Sequence, residues 1–240
     1  MKNVYELLIE SSYDENVVIV KECLKLGADV LYRTNNNEYS HQTSLESVIR
    51  GGKTQIFKLL FDNLIEKFKN VDDENFKNKT YSDLVGLSSA CDELEITKLI
   101  IENGVIPYEY DIRSIINRNQ KNAVDILKLF IENGLNLKTY DVDKFSISTK
   151  LDLNMITFLV DNGLLIENIS NNKLNQIILD CECNVFKFIA DKIDLKNKNI
   201  NDLLTSAIAF EKKDIFNYLI SKGAKIKDNR LKEYVKIIFK

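Results

Sequence analysis

Leu127-Lys128-Leu129-Phe130-Ile131-Glu132-Asn133-Gly134 decides how the rest of this sequence is read. It is an apolar helical end closed by Asn-Gly. It returns as Leu99-Ile100-Ile101-Glu102-Asn103-Gly104 and Phe158-Leu159-Val160-Asp161-Asn162-Gly163. Looser copies are Tyr218-Leu219-Ile220-Ser221-Lys222-Gly223 and Val20-Lys21-Glu22-Cys23-Leu24-Lys25-Leu26-Gly27. Gly104, Gly134 and Gly163 are spaced by about thirty residues, and a fixed period of that size marks stacked repeats.

Working backwards from the glycine, Ile126, Leu127, Phe130 and Ile131 recur at i, i+1, i+4, i+5 and form one apolar face. The same four slots hold Ile19, Val20, Cys23, Leu24; Ile56, Phe57, Leu60, Phe61; and Met155, Ile156, Leu159, Val160. They recur as Val185, Phe186, Ile189, Ala190 and as Ile215, Phe216, Leu219, Ile220. Two apolar residues per turn make a stripe too wide for one neighbour, so such helices need partners on both sides. The glycine ends the helix because the residue there takes φ > 0 to satisfy the last carbonyls. A shorter first helix precedes each: Val4–Ser11, Ser44–Ile49, Ser82–Cys91, Asp111–Asn117, Val142–Ser148, Lys173–Asp180 and Asn201–Phe210.

The pattern resembles the ankyrin repeat. The best match is His41-Gln42-Thr43-Ser44-Leu45-Glu46-Ser47-Val48-Ile49-Arg50-Gly51-Gly52-Lys53-Thr54-Gln55-Ile56-Phe57-Lys58-Leu59-Leu60. Thr43, Leu45 and Gly52 match that family's pattern, with Ser44 in place of its proline and Glu46 in place of its histidine. Leu26-Gly27-Ala28-Asp29 and Lys222-Gly223-Ala224 match its Gly-Ala-Asp ending. The resemblance implies an all-α solenoid over 1–240, with about seven helix-turn-helix repeats. They fall near 3–30, 40–68, 80–107, 110–137, 140–166, 170–195 and 199–226, followed by a capping helix over 228–240. The period is shorter than the family's, so stubby loops with little or no strand are expected in the middle, and Thr34–Asn37 is a candidate hairpin tip. Leu64 and Ile193 stand where a cap glycine is expected. The first predicts a helix that runs on, followed by a polar excursion over Asn70–Thr80. The second predicts a different helix ending, since φ > 0 strains a β-branched residue.

Composition bounds the function. The chain has 240 residues, 45% hydrophobic and 29% charged, with one proline and a net charge of -3. This excludes disorder and gives no general pull towards nucleic acid or acidic membranes. No apolar run reaches the ~18 residues of a membrane span. Met1–Glu6 turns acidic at once, without a signal peptide's apolar core, and four cysteines make no disulfide framework, so an intracellular, cytoplasmic location is expected.

Catalysis finds little to stand on. His41 is the sole histidine and sits in a loop position, so a Ser-His-Asp or Cys-His set lacks its base. Cys181-Glu182-Cys183 offers two thiolates where structural zinc wants four ligands. The repeated Glu/Asp-Asn-Gly triplets read as caps. No enzyme, cofactor or metal is expected.

Tyr39, Tyr81, Tyr110 and Tyr140 each fall just before a first helix. With His41, Glu46 and Arg113 they form the candidate partner-binding edge, since Tyr gives large contact area at low entropic cost. The alternative is that each ring staples its loop onto the next repeat. What the resemblance implies is a non-catalytic scaffold that binds a protein partner through its concave face and inter-repeat loops. In A+T-rich microbes and large DNA viruses, where such chains are familiar, the partner is often a host protein. A monomer is expected. The other reading is association with nucleic acid through the basic C-terminal end, Lys222, Lys225, Lys227, Arg230, Lys232, Lys236 and Lys240, although Asp228 and Glu233 interleave and no stacking aromatics accompany them.

Overall fold

Helices account for all the regular structure of the computed structural model, which describes residues 3–33, 42–105, 107, 112, 115, 116, 120–144 and 151–239. Thirteen α-helices lie among them and no strand. They are α1 Val4–Tyr13, α2 Val17–Lys25, α3 Ser44–Arg50, α4 Thr54–Phe68, α5 Glu74–Ala90, α6 Leu94–Ile101 and α7 Ala123–Glu132. After these come α8 Leu153–Asp161, α9 Asn171–Asp180, α10 Cys183–Lys192, α11 Ile200–Ala209, α12 Lys213–Ser221 and α13 Asn229–Ile238. The chain divides into two compact units, Met1–Ile115 with Gln120–Leu135, and Ile116–Asn119 with Asn136–Lys240.

In the first unit α1/α2, α3/α4 and α5/α6 are antiparallel hairpins. First helices pack α1 on α3 on α5, and second helices pack α2 on α4 on α6 on α7. In the second unit α9/α10 and α11/α12 are hairpins, with α9 on α11 and α8 on α10 on α12. The four apolar slots are filled as the spacing predicts where a helix has neighbours on both sides. Ile56, Phe57, Leu60 and Phe61 of α4 are all buried, as are Val185, Phe186, Ile189 and Ala190 of α10. In α2, Ile19 is exposed and Leu24 half-buried, and in α12 Ile220 is exposed. Among the described residues each of those helices has a second-helix neighbour on one side, α4 beside α2 and α10 beside α12.

Local chemistry sets the helix ends. Asn3, Thr43, Asp73, Asp152 and Ser170 accept from the N–H three residues on, and Thr43 with Glu46 completes a capping box. At second-helix ends the positive-φ residues are Gly27, Gly104, Gly134, Gly163 and Gly223. At Gly134 the N–H donates to Ile131 O at 3.2 Å and Leu135 N–H to Phe130 O at 3.0 Å, the paired bonds of a Schellman cap. Asn103, Asn133 and Asn162 each donate Nδ2 to the carbonyl four residues back at 2.8 Å, which gives the triplets their capping role.

First helices end the same way. Glu15, Gly52, Asp92 and Glu211 take positive φ in three-residue turns that lead into α2, α4, α6 and α12. The hairpin α9/α10 turns in two residues, Cys181 and Glu182, both extended. These turns are stitched to one another in the first unit. Lys53 Nζ reaches back to Tyr13 O at 2.5 Å and Glu15 Oε1 at 3.0 Å. The Glu93 carboxylate lies against Gly52, 2.8 Å from where a Cβ would stand. Burial and the neighbouring Asp92 raise its pKa. Asn122 donates its N–H and Nδ2 to Asp92 Oδ1 and O, both at 2.9 Å.

Two irregular ends go as the sequence predicts. Helix α4 runs through Leu64 to Phe68, both buried, and Ile193 ends α10 with φ -109 and ψ 158. The excursion expected over Asn70–Thr80 is instead mostly helix. Helix α5 begins at Glu74, where Asp73 accepts from Phe76 N–H at 2.9 Å, Glu74 pairs with Lys77 at 2.7 Å, and Phe76 meets Phe68 edge-on. The first helix expected over Val142–Ser148 is a 3-10 turn at Val142–Lys144, and its remainder lies outside the described residues, as does Thr34–Asn37. Helix α13 forms where the capping helix is expected. None of its residues is fully buried, and Phe239 just after it rests on Phe216 with ring centroids 4.9 Å apart.

Candidate interaction surface

A cleft of about 250 Å³ opens in the first unit on the side of the first helices, between α3, α5 and the segment Leu31–Arg33. Leu31 and Leu84 form its apolar floor, and Phe76, 46% exposed, stands at its wall. Its rim carries Arg33, Glu46, Lys79 and Asp83. The sequence explains each wall. The capping box holds Glu46 at the start of α3, and the Arg33 guanidinium grips the same carboxylate through Nη1–Oε2 at 3.0 Å and Nη2–Oε1 at 2.6 Å. That two-pronged contact fixes the planar fork. Ser44 Oγ donates to Val30 O at 3.1 Å and ties the preceding segment to α3. On α5, Phe76, Lys79, Thr80, Asp83 and Leu84 recur at spacings of three and four, so one helix face supplies an aromatic, two opposite charges and a buried leucine.

Of the residues selected from the sequence, Glu46 lies in this cleft. Tyr81 does not precede a helix: it sits within α5, because α5 starts a full two turns earlier than the pattern suggested. Its half-buried ring meets Phe61 and Phe68 edge-on at 6.0 and 5.4 Å, and desolvation raises its pKa. Tyr140, in the second unit, is buried just after the 3-10 turn Leu137–Thr139. Tyr39, His41, Tyr110 and Arg113 lie outside the described residues. Phe76, Lys79 and Asp83 were missed in the sequence because they fall in a stretch of polar residues. The signal that points to them is Asp73 followed by Glu74 at a helix start, with Phe76 and Tyr81 behind it.

Other reactive side chains are held structurally. Cys181 is buried, which pushes its thiol up to about 11, and no disulfide forms among the four cysteines. Cys181 and Cys183 line a cavity of about 540 Å³ together with Asp180, Glu182, Glu211, Lys212, Lys213 and Asp214. In the second unit Asp191 accepts from Tyr218 Oη at 2.7 Å and Lys222 Nζ at 2.9 Å, and those two hydrogen bonds lower its pKa. Burial raises the Tyr218 phenol, with Asp191 adding to the effect. Among the described residues no group of three or more His, Cys, Asp or Glu could hold a metal ion, and no helix is long and apolar enough to cross a membrane.

The fold thus defines a class, an all-helical protein whose hairpins pack first helix on first helix and second helix on second helix within each unit. No family model matches the chain, and no curated protein matches it either.

Proposed function

We propose that this protein is a non-catalytic scaffold of ankyrin-like helix hairpins that binds a partner protein along its first-helix side. The observation that carries this reading is the cleft beside α3 and α5. An exposed aromatic stands over an apolar floor there, with a rim of Arg33, Glu46, Lys79 and Asp83. Such an arrangement of aromatic anchor and polar rim is what protein interfaces use at their energetic centre. The stacking of hairpins supports the ankyrin-like reading, since each repeat-type hairpin covers its neighbours' apolar faces.

The test is affinity capture with mass spectrometry on the whole chain, comparing the native protein with Phe76→Ala/Lys79→Glu. Phe76 is 46% exposed and Lys79 is exposed, and circular dichroism first establishes that the variant is folded. Loss of specific bound proteins supports the reading. An unchanged set of bound proteins from the folded variant rejects the cleft as the contact surface.

A further inference from the structure

The two units carry opposite charge. The first holds 22 acidic and 15 basic side chains, the second 14 acidic and 18 basic, together the 36 and 33 of the whole chain. Each unit also leaves one helix with an exposed stripe in which apolar side chains flank a charge. On α2 and its C-cap, Val18, Glu22 and Leu26 follow at intervals of four. Val18 is 72% exposed, Leu26 is 74% exposed, and the Glu22 side chain is 59% exposed. On α13, Arg230, Tyr234 and Ile237 follow at i, i+4, i+7. Here Tyr234 is 41% exposed, Ile237 69%, and the Arg230 side chain 95%.

Among the described residues neither stripe is covered by its own unit. The outermost helix of a stack ordinarily turns a polar face outward, and α2 does not. Among the described residues the Glu22 carboxylate pairs with Lys25, one turn along, at 2.6 Å, and the Arg230 guanidinium with Asp228 at 3.8 Å. Exposed pairs of this kind are worth little and exchange partners readily. Around α2 the hairpin is acidic, with Glu6, Glu10, Asp14, Glu15 and Glu22 against Lys21 and Lys25. Around α13 the chain is basic.

We infer that this chain associates head to tail, with the α2 stripe of one copy packing against the α13 stripe of a second copy. Each stripe offers two apolar side chains about a central or terminal charge of opposite sign. With the two helices antiparallel, Glu22 meets Arg230 and Val18, four residues away, packs against Tyr234, while Leu26 and Ile237 extend the apolar contact at its two ends. The contact is heterologous, so a pair that does not close on itself presents one free α2 stripe and one free α13 stripe to further copies. Opposite net charge steers the encounter and makes it sensitive to salt.

The test is sedimentation velocity on the full chain. The mass average should rise as concentration goes from about 1 to about 200 μM, the range where a small interface shows itself. Raising NaCl from about 50 to about 500 mM should weaken association by about tenfold, as screening shortens the reach of the charges. Val18→Glu/Leu26→Glu and Tyr234→Glu/Ile237→Glu should each remain monomeric alone. Mixed, they should form a one-to-one dimer that grows no further, because each supplies the stripe that the other has lost. Glu22→Arg and Arg230→Glu provide a second pair that leaves the apolar positions intact: each should weaken association at least fivefold, and the double variant should restore it. A native chain that is monomeric throughout, a stripe variant that self-associates alone, or a mixture that stays monomeric overturns the inference.

Discussion

Helices α2 and α4 carry the same four-slot apolar pattern one hairpin apart, and only α4 buries all of it. Helix α4 lies between α2 and α6, whereas among the described residues α2 has α4 on one side only within its row. The slots in α4 hold Ile56, Phe57, Leu60 and Phe61 in the core, while the matching Ile19 of α2 reaches solvent. Periodicity in a sequence thus states how many neighbours a helix is able to use. Its place in the stack determines how many it gets. The same contrast holds at the turns. Four hairpins place a left-handed residue between their helices, while α9/α10 dispenses with one by turning a residue sooner.

The largest test of this contrast is core truncation. Phe57→Ala should cost about 3–5 kcal/mol in urea unfolding, the range for a fully buried aromatic, against less than about 1 kcal/mol for Ile19→Ala. Equal losses would mean that the position in the row does not govern burial. Next comes Gly134→Ala. No atom lies within 4 Å of the added Cβ, so a loss of about 1–2 kcal/mol would come from the backbone at φ +103 alone. Glu211→Gly should instead stabilise by about 0.5–1 kcal/mol by relieving φ +55. Asp92→Gly should gain less or nothing, because its carboxylate accepts from Asn122 N–H. A similar gain at both sites would show that the stitching between turns carries no weight.

The smallest effect concerns the short turn. Burial pushes Cys181 up to about 11, so near pH 8 it is almost wholly the unreactive thiol, while half-buried Cys183 faces solvent more openly. Iodoacetamide at pH 8 should modify Cys183 first, checked by peptide mass spectrometry. Reaction at Cys181 should accelerate only as pH climbs towards 11. Modification of the two at equal rates would show that the turn does not shield Cys181.

Second helices were legible because their apolar slots and glycine ends are local signals. Leu64 and Ile193 announced their departures for the same reason: a helix without an αL residue must continue or end in extended backbone. The start of α5 was not legible, because Phe76 and Tyr81 gain their partners, Phe61 and Phe68, only once α4 has run on. The cleft was hidden with it. Glu46 could be selected from its place in the repeat, but the fork from Arg33 depends on a chain path that the pattern does not encode. Positive φ at Glu15, Asp92 and Glu211 was likewise silent, since the turn geometry overrides residue preference there.

The rings of Phe57, Phe61, Phe68, Phe76 and Tyr81 form a chain of contacts where α4 overruns its glycine-less end into α5. Elsewhere in the first unit adjoining hairpins are joined mainly by aliphatic faces and a few turn contacts, which can separate one layer at a time. At this junction, peeling has to expose several aromatic surfaces together. Opening that starts at α1 and α2 should therefore stall against it, leaving the amides of α4 the slowest in the unit to exchange with solvent.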